Sequence, residues 1–94
     1  MQIMDKAYLV PLEDHGARLL LLHIAEHAGI VRTKLSPLAT RLGWNVKYLT
    51  ERIRMLEAIG LISVSGSLGC RFCTKRLQIQ VDRLEAMVAE DNHG

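Results

Sequence analysis

A change of hydrophobic period at Gly60 constrains the fold of this chain more than any other feature of the sequence. Before Gly60, apolar residues recur every three or four positions and predict one buried helix face, formed by Val46, Leu49, Ile53 and Leu56. After Gly60 the period is two, in the segments 62–64 and 77–81, which predicts two half-buried strands. The chain is therefore expected to combine helices with a small sheet.

Turn and capping residues divide the remaining sequence into further elements. Residues 12–28 are predicted to form a helix whose core face is Ala17, Leu20, Leu21, Ile24 and Ala28, with Gly29 as its stop. A short extended segment at 30–34 precedes a helix in LSPLATRLG that Ser36 is expected to cap, and Gly43 then allows a turn into a helix capped by Asn45. A last helix is predicted at 82–90. We expect one mainly α domain over 1–94, with its core in 12–81.

Charge is distributed unevenly along the chain, although the net charge is only +2. Residues 30–60 carry +4 and residues 61–80 carry +3, whereas residues 1–29 carry −2 and residues 81–94 carry −3. A basic middle between acidic ends predicts one face that meets a polyanion.

The segment LSPLATRLGWNVKYLTERIRMLEAIGLI, residues 35–62, resembles the winged helix-turn-helix family of DNA-binding domains. With LLLLHIAEHAG ahead of it, the resemblance covers about residues 12–81. This part of the chain is similar to small bacterial, phage and plasmid repressors and replication proteins. It implies a three-helix core, a wing of two or three strands and a C-terminal helix. It also implies sequence-preferring binding of double-stranded DNA, by a transcriptional regulator of the repressor type or by a replication-associated protein.

In such a domain the outward side chains of the second helix of the motif reach base edges, and neighbouring cations contact phosphates. The resemblance places on the recognition helix Asn45, Lys47, Tyr48, Glu51, Arg52 and Arg54. Flanking elements and the wing contribute Arg32, Lys34, Arg41, Arg71, Lys75 and Arg76. Glu51 departs from the family pattern, because the outward position that it holds is often basic. Trp44 is expected to anchor the turn rather than to stack on bases.

A homodimer is expected from apolar residues that the predicted core does not use. Leu19 and Leu22 lie on the side of the first predicted helix opposite its core face, and the last helix carries a stripe of Leu84, Met87 and Val88. Packing of that stripe within one chain is the alternative.

Two short motifs suggest other chemistry. Cys70 and Cys73 form half of a zinc site, and we expect reduced cysteines that bind no metal; a metal- or redox-responsive regulator is the alternative. HIAEH, residues 23–27, matches a zinc peptidase motif but lacks a third ligand, so His23 and His27 are interpreted as boundary residues. No enzymatic activity and no cofactor are expected.

The remaining expectations concern location and partners. The sequence has no long apolar run and no cleavage site near its start, which predicts a cytoplasmic protein without a membrane partner. A protein-binding winged-helix module is the alternative to a DNA-binding one, because one fold serves several functions.

Overall fold

The computed structural model describes residues 3–70 and 72–92, and within them five helices and three strands follow one another along the chain. The elements are α1 (Ile3–Leu9), α2 (His15–Glu26), β1 (Ile30–Thr33), α3 (Leu35–Leu42), α4 (Val46–Ala58), β2 (Ile62–Ser65), β3 (Lys75–Ile79) and α5 (Val81–Asn92). The predicted mixture of helices and a small sheet is confirmed. None of the helices in these described ranges is long and apolar enough to cross a membrane.

Polar caps and glycines set the ends of the central helices. The side chain of Asn45 accepts a hydrogen bond from the backbone N–H of Tyr48 at 2.7 Å, as the sequence predicts for the start of α4. Gly43 ends α3 with a left-handed φ of 76°, which glycine adopts without a steric penalty. The predicted cap at Ser36 is wrong, because α3 begins one residue earlier and Lys34 occupies its N-cap position without a side-chain hydrogen bond.

The core lies between α2, α4 and one face of the sheet. The predicted faces of α2 and α4 are buried with two exceptions: Val46 at the start of α4 is only partly buried, and Ala28 lies beyond the end of α2 with a φ of 60° and is exposed. Twenty buried apolar side chains form one cluster: Ala7, Val10, Ala17, Leu20, Leu21, Ile24, Ala25, Val31, Leu35, Leu38, Ala39, Leu49, Ile53, Leu56, Leu61, Ile62, Leu77, Ile79, Leu84 and Val88.

The strands form an antiparallel sheet in the order β1-β3-β2. Because successive residues of a strand point to opposite faces, Lys75, Leu77 and Ile79 of β3 all face the core, whereas Arg76 faces outward. In the same register Arg76 lies directly opposite Arg32 of β1. The sheet therefore has one apolar face and one face that carries opposed arginines.

The two ends of the chain pack against each other through α1 and α5. The sequence did not predict α1, and α5 begins one residue before the predicted start and extends past the predicted end. Lys6 of α1 forms an ion pair with Glu85 of α5. The guanidinium of Arg18 on α2 donates to four backbone carbonyls at and after the end of α1, those of Ala7, Tyr8, Val10 and Leu12, at 2.6 to 3.3 Å.

Candidate functional site

Five exposed cations of the basic middle segment form the main candidate surface. They come from β1, the β1–α3 junction, α3 and α4: Arg32, Lys34, Arg41, Lys47 and Arg54. Within the described ranges, none of the five forms an ion pair. Unpaired cations on neighbouring elements leave a positive potential that attracts a polyanion.

The outward face of α4 presents Lys47 and Arg54 with Glu51 between them, as predicted. The carboxylate of Glu51 accepts from the guanidinium of Arg52 at 3.4 Å, and not from Lys47 or Arg54. Lys47 and Arg54 therefore remain available to an anion, while part of the negative charge of Glu51 is balanced by its neighbour.

Arg52 does not belong to this outward face. Its guanidinium forms an ion pair with Asp14 at the start of α2 and lies over the ring of Tyr48, 4.4 Å from the ring centroid, and its side chain is only 16% exposed. A helix turns about 100° per residue, so the position after Glu51 points toward α2 rather than toward solvent. The prediction that Arg52 contacts DNA is corrected to a structural role.

Tyr48 is packed against α2 at Gly16. A side-chain carbon at Gly16 would lie 3.0 Å from Cζ of Tyr48, which is closer than van der Waals contact permits. The ring also meets Trp44 edge to face, with centroids 4.8 Å apart, and Trp44 packs against the core. The ring of Tyr48 therefore fastens α4 to α2, and contact of its hydroxyl with phosphate stays a prediction.

Lys75 is not a surface cation. It is 1% exposed, because its position in β3 faces the core, and its ammonium donates to the carbonyl oxygens of Cys70 and Cys73. The predicted phosphate contact at Lys75 is therefore wrong. Arg76 is exposed as predicted, and its guanidinium donates to Gln78. Arg71 lies outside the described residues.

Cys70 and Cys73 are joined by a disulfide, which corrects the prediction of reduced cysteines. Their Cα atoms are 5.5 Å apart in the loop between β2 and β3, a separation that suits a disulfide. Next to the disulfide, Phe72 is 83% exposed. In the described part of the chain, no group of three or more His, Cys, Asp or Glu side chains is arranged to hold a metal ion.

Comparisons with known protein families, with curated proteins and with solved structures found no match to this chain.

The residues chosen for a dimer surface differ in exposure. Leu84 is fully buried and Val88 is 8% exposed within one chain, so they do not present an open stripe to a second chain. Met87 and Leu22 are partly buried against the same core, and Leu19 is 41% exposed. The expected apolar stripe of the last helix is thus largely covered by packing within the chain.

An apolar groove of about 740 Å³ runs between the start of α2, the end of α4 and α5. Its apolar lining includes Pro11, Leu12, Met55, Ile59 and Met87, of which Met55 and Ile59 are more than one-third exposed. The groove lies at the C-terminal half of α4, whereas Lys47 lies in its first turn.

Sequence reasoning did not identify a second cleft, of about 300 Å³, where α2, β1 and α3 meet. Its polar lining includes His23, His27, Arg32 and Arg41. The two imidazoles meet edge to face with centroids 4.7 Å apart. Burial lowers the pKa of His23, and the neighbouring His27 and Arg41 lower it further, against an opposite effect of Glu26. This cleft collects positive charge from two separate elements, β1 and α3, and imidazoles from the end of α2.

Proposed function

We propose that this protein is a winged-helix domain that binds double-stranded DNA with sequence preference, as a regulator of the repressor type or as a replication-associated binder. The observation that carries the proposal is that Lys47 and Arg54 lie on the exposed face of α4 and that, among the described residues, neither they nor the exposed cations of β1 and α3 form an ion pair. The order of elements supports the proposal, since α3, the turn at Gly43 and α4 precede two antiparallel strands joined by a long loop.

The two outward cations have different expected roles. Lys47 lies in the first turn of α4, from which side chains reach base edges when a helix enters the major groove. Arg54 lies two turns later, where contact with a phosphate is expected, and Arg32, Lys34 and Arg41 extend that contact along the backbone. Asn45 caps the helix with its side-chain oxygen, and its amide group remains a candidate for a base contact.

Substitution of the outward cations tests the proposal. Lys47→Ala and Arg54→Ala are each expected to weaken binding to a selected duplex by roughly tenfold or more. Arg54→Ala and Arg76→Ala should also reduce the slope of log affinity against log salt by about one for each lost phosphate contact. Fluorescence anisotropy at several salt concentrations measures both quantities.

Two variants serve as controls. Arg83→Ala removes an exposed arginine from the acidic C-terminal segment and should leave DNA affinity unchanged. Lys75→Met keeps an unbranched side chain in the core and should leave the salt slope unchanged, because the ammonium of Lys75 is buried. Equal affinities of the wild-type chain and of the Lys47 and Arg54 variants, with the fold intact by circular dichroism, would reject the proposed DNA interface.

Selection of bound fragments from random duplex DNA distinguishes a repressor-type regulator from a replication-associated binder. An enriched palindrome is the result expected of a dimeric regulator, and repeated direct sites are expected of a replication-associated protein. Absence of enrichment would favour the alternative of a protein-binding module, for which the apolar groove is the surface to examine. Sedimentation at micromolar concentration tests the homodimer, and a monomer would remove it from the proposal.

The disulfide favours a redox-responsive form of the same function as a second candidate. A dithiol reductant would transfer two electrons and two protons to Cys70 and Cys73, giving two thiols while the reductant becomes its own disulfide. The loop between β2 and β3 would then lose one of its two constraints, the other being Lys75.

For this candidate we expect DNA affinity of the wild-type chain to change on addition of reductant, and the affinity of Cys70→Ser to be the same with and without it. Identical responses of the two proteins would reject redox control. Thiol counts before and after reduction establish the state of the pair.

A further inference from the structure

The cleft between α2, β1 and α3 has the composition of an anion site. Two arginines line it from different elements, Arg32 from β1 and Arg41 from the last turn of α3, and its polar lining also includes Thr33, His23 on α2 and His27 just after the end of α2. Among the residues that the structure describes, no carboxylate side chain lines it. We propose that this cleft binds a phosphate group, held by Arg32, Arg41 and the imidazoles of His23 and His27.

The charges around Arg32 are uncompensated in the described residues. Neither Arg32 nor Arg41 forms an ion pair there, and Arg76 is the direct cross-strand neighbour of Arg32. Like charges directly opposite each other on adjacent strands destabilise a sheet. An anion bound beside Arg32 would remove this repulsion, so the sheet and the ligand would stabilise each other.

The geometry favours phosphate over a carboxylate. One guanidinium can satisfy both oxygens of a planar carboxylate, whereas a tetrahedral phosphate presents oxygens in several directions and can receive donors from Arg32, Arg41 and the imidazoles together. The volume of about 300 Å³ accommodates a phosphate group with several water molecules. Val31 and Leu38 form a buried apolar part of the lining, which lowers the local dielectric and strengthens charge-assisted hydrogen bonds.

Binding of a phosphate should be visible in the titration of His23. The titratable and charged groups around this imidazole are Glu26 on α2, His27 just after α2, Arg41 on α3 and, in the same cleft lining, Arg32 on β1. Burial and its cationic neighbours hold the pKa of His23 below the ordinary value of 6.5. A bound dianion favours the protonated imidazole, so this pKa should rise when phosphate occupies the cleft.

This inference does not require DNA binding, because the same chemistry has two sources. The phosphate can belong to the backbone of a duplex, in which case the cleft anchors DNA beside α4, or it can belong to a small phosphorylated molecule. Arg32 and Arg41 would bind the phosphate group of either molecule.

Titration with inorganic phosphate, followed by nuclear magnetic resonance at constant ionic strength, tests the site directly. We expect the chemical shifts of the His23 and His27 imidazole signals to change and to saturate with phosphate concentration. At saturation the pKa of His23 should be higher than without phosphate. Arg32→Gln and Arg41→Gln should each weaken phosphate binding about tenfold, and Arg83→Gln, which removes an exposed arginine outside the cleft, should have no effect. Shifts that do not saturate, an equal effect of Arg83→Gln, or an equal response to acetate would each overturn the proposal.

A second titration with duplex DNA identifies the source. If the duplex displaces inorganic phosphate and Arg41→Gln weakens duplex binding, the cleft receives a backbone phosphate. If phosphate binds and duplex affinity is unchanged by Arg41→Gln, the ligand is a small phosphorylated molecule. If no duplex binds at all while phosphate saturates the cleft, the DNA proposal fails and the phosphate site stands.

Discussion

Replacement of Arg18 with alanine is expected to lower the free energy of unfolding by about 3 kcal/mol and to detach α1 from the domain. The guanidinium of Arg18 donates to the carbonyls of Ala7, Tyr8, Val10 and Leu12. The last carbonyls of a helix have no partner within it, and a helix of seven residues is not stable alone. Without Arg18, α1 would lose its C-terminal cap, and α5 would lose the surface against which it packs.

Chemical denaturation measures the loss of stability, and hydrogen exchange at residues 6–10 measures the release of α1. Arg18→Lys is the matched variant, because it keeps the charge but cannot place donors on four carbonyls, and we expect it to recover only a minor part of the lost stability. Arg83→Ala removes a guanidinium that, within the described residues, donates to one backbone carbonyl, that of Ile59, and should have a small effect. Equal stability of Arg18→Ala and Arg83→Ala would contradict this role of Arg18.

Replacement of Asp14 with alanine is expected to destabilise the domain at neutral pH by about 1 to 2 kcal/mol through loss of the helix cap alone. One oxygen of Asp14 accepts from the backbone N–H of Ala17 at 2.7 Å, and the other pairs with Arg52. The variant would therefore also leave the guanidinium of Arg52 without its main partner. This loss matters because the side chain of Arg52 is largely buried. Thermal unfolding of the two proteins measures the difference.

The effect of Asp14 should depend on pH in a defined direction. The backbone N–H of Ala17 lowers the pKa of the Asp14 carboxyl below its ordinary value of 3.8; burial opposes this, and the hydrogen bond and charge of Arg52 lower the pKa further. A carboxyl with a depressed pKa stabilises the fold fully above the unfolded value and loses that contribution as pH falls through the folded value.

The stability advantage of the wild-type chain over Asp14→Asn should therefore shrink as pH falls from about 5 to about 2. Asparagine is as good a helix cap as aspartate, so this variant isolates the contribution of the Asp14 charge, which acts both on the start of α2 and on Arg52. A difference in stability that is constant across this range would show that the charge of Asp14 does not stabilise the fold.

Local sequence patterns were enough to predict the main helices and the strands, but not the use of each charged side chain. Lys75 illustrates the limit, because its alternation with Leu77 and Ile79 already indicates the inward face, yet a lysine in a basic loop suggests the surface. Only the carbonyls of Cys70 and Cys73, brought over it by the turn, make its burial possible. The alternation of inward and outward residues along β3, applied without regard to charge, predicts that Lys75 faces the core.

Contacts between distant elements could not be predicted from the sequence. Arg52 pairs with Asp14, 38 positions away, and nothing local to either residue indicates the pair. The cleft between α2, β1 and α3 likewise depends on the packing of these three elements, which gives Arg32, Arg41 and His23 a place in one lining. The helix α1 was missed because seven residues give too short a window for a helical period.

The buried Lys75 also bears on how the sheet finds its alignment during folding. If β3 slipped by one residue against β1 and β2, Leu77 and Ile79 would turn outward and Arg76 and Gln78 would turn toward the core. In the correct pairing the inward cation, Lys75, has the carbonyls of Cys70 and Cys73 as partners, whereas the one-residue shift would place the guanidinium of Arg76 in an apolar interior. Correct alignment is thus favoured by an electrostatic cost on this shifted pairing as well as by apolar burial.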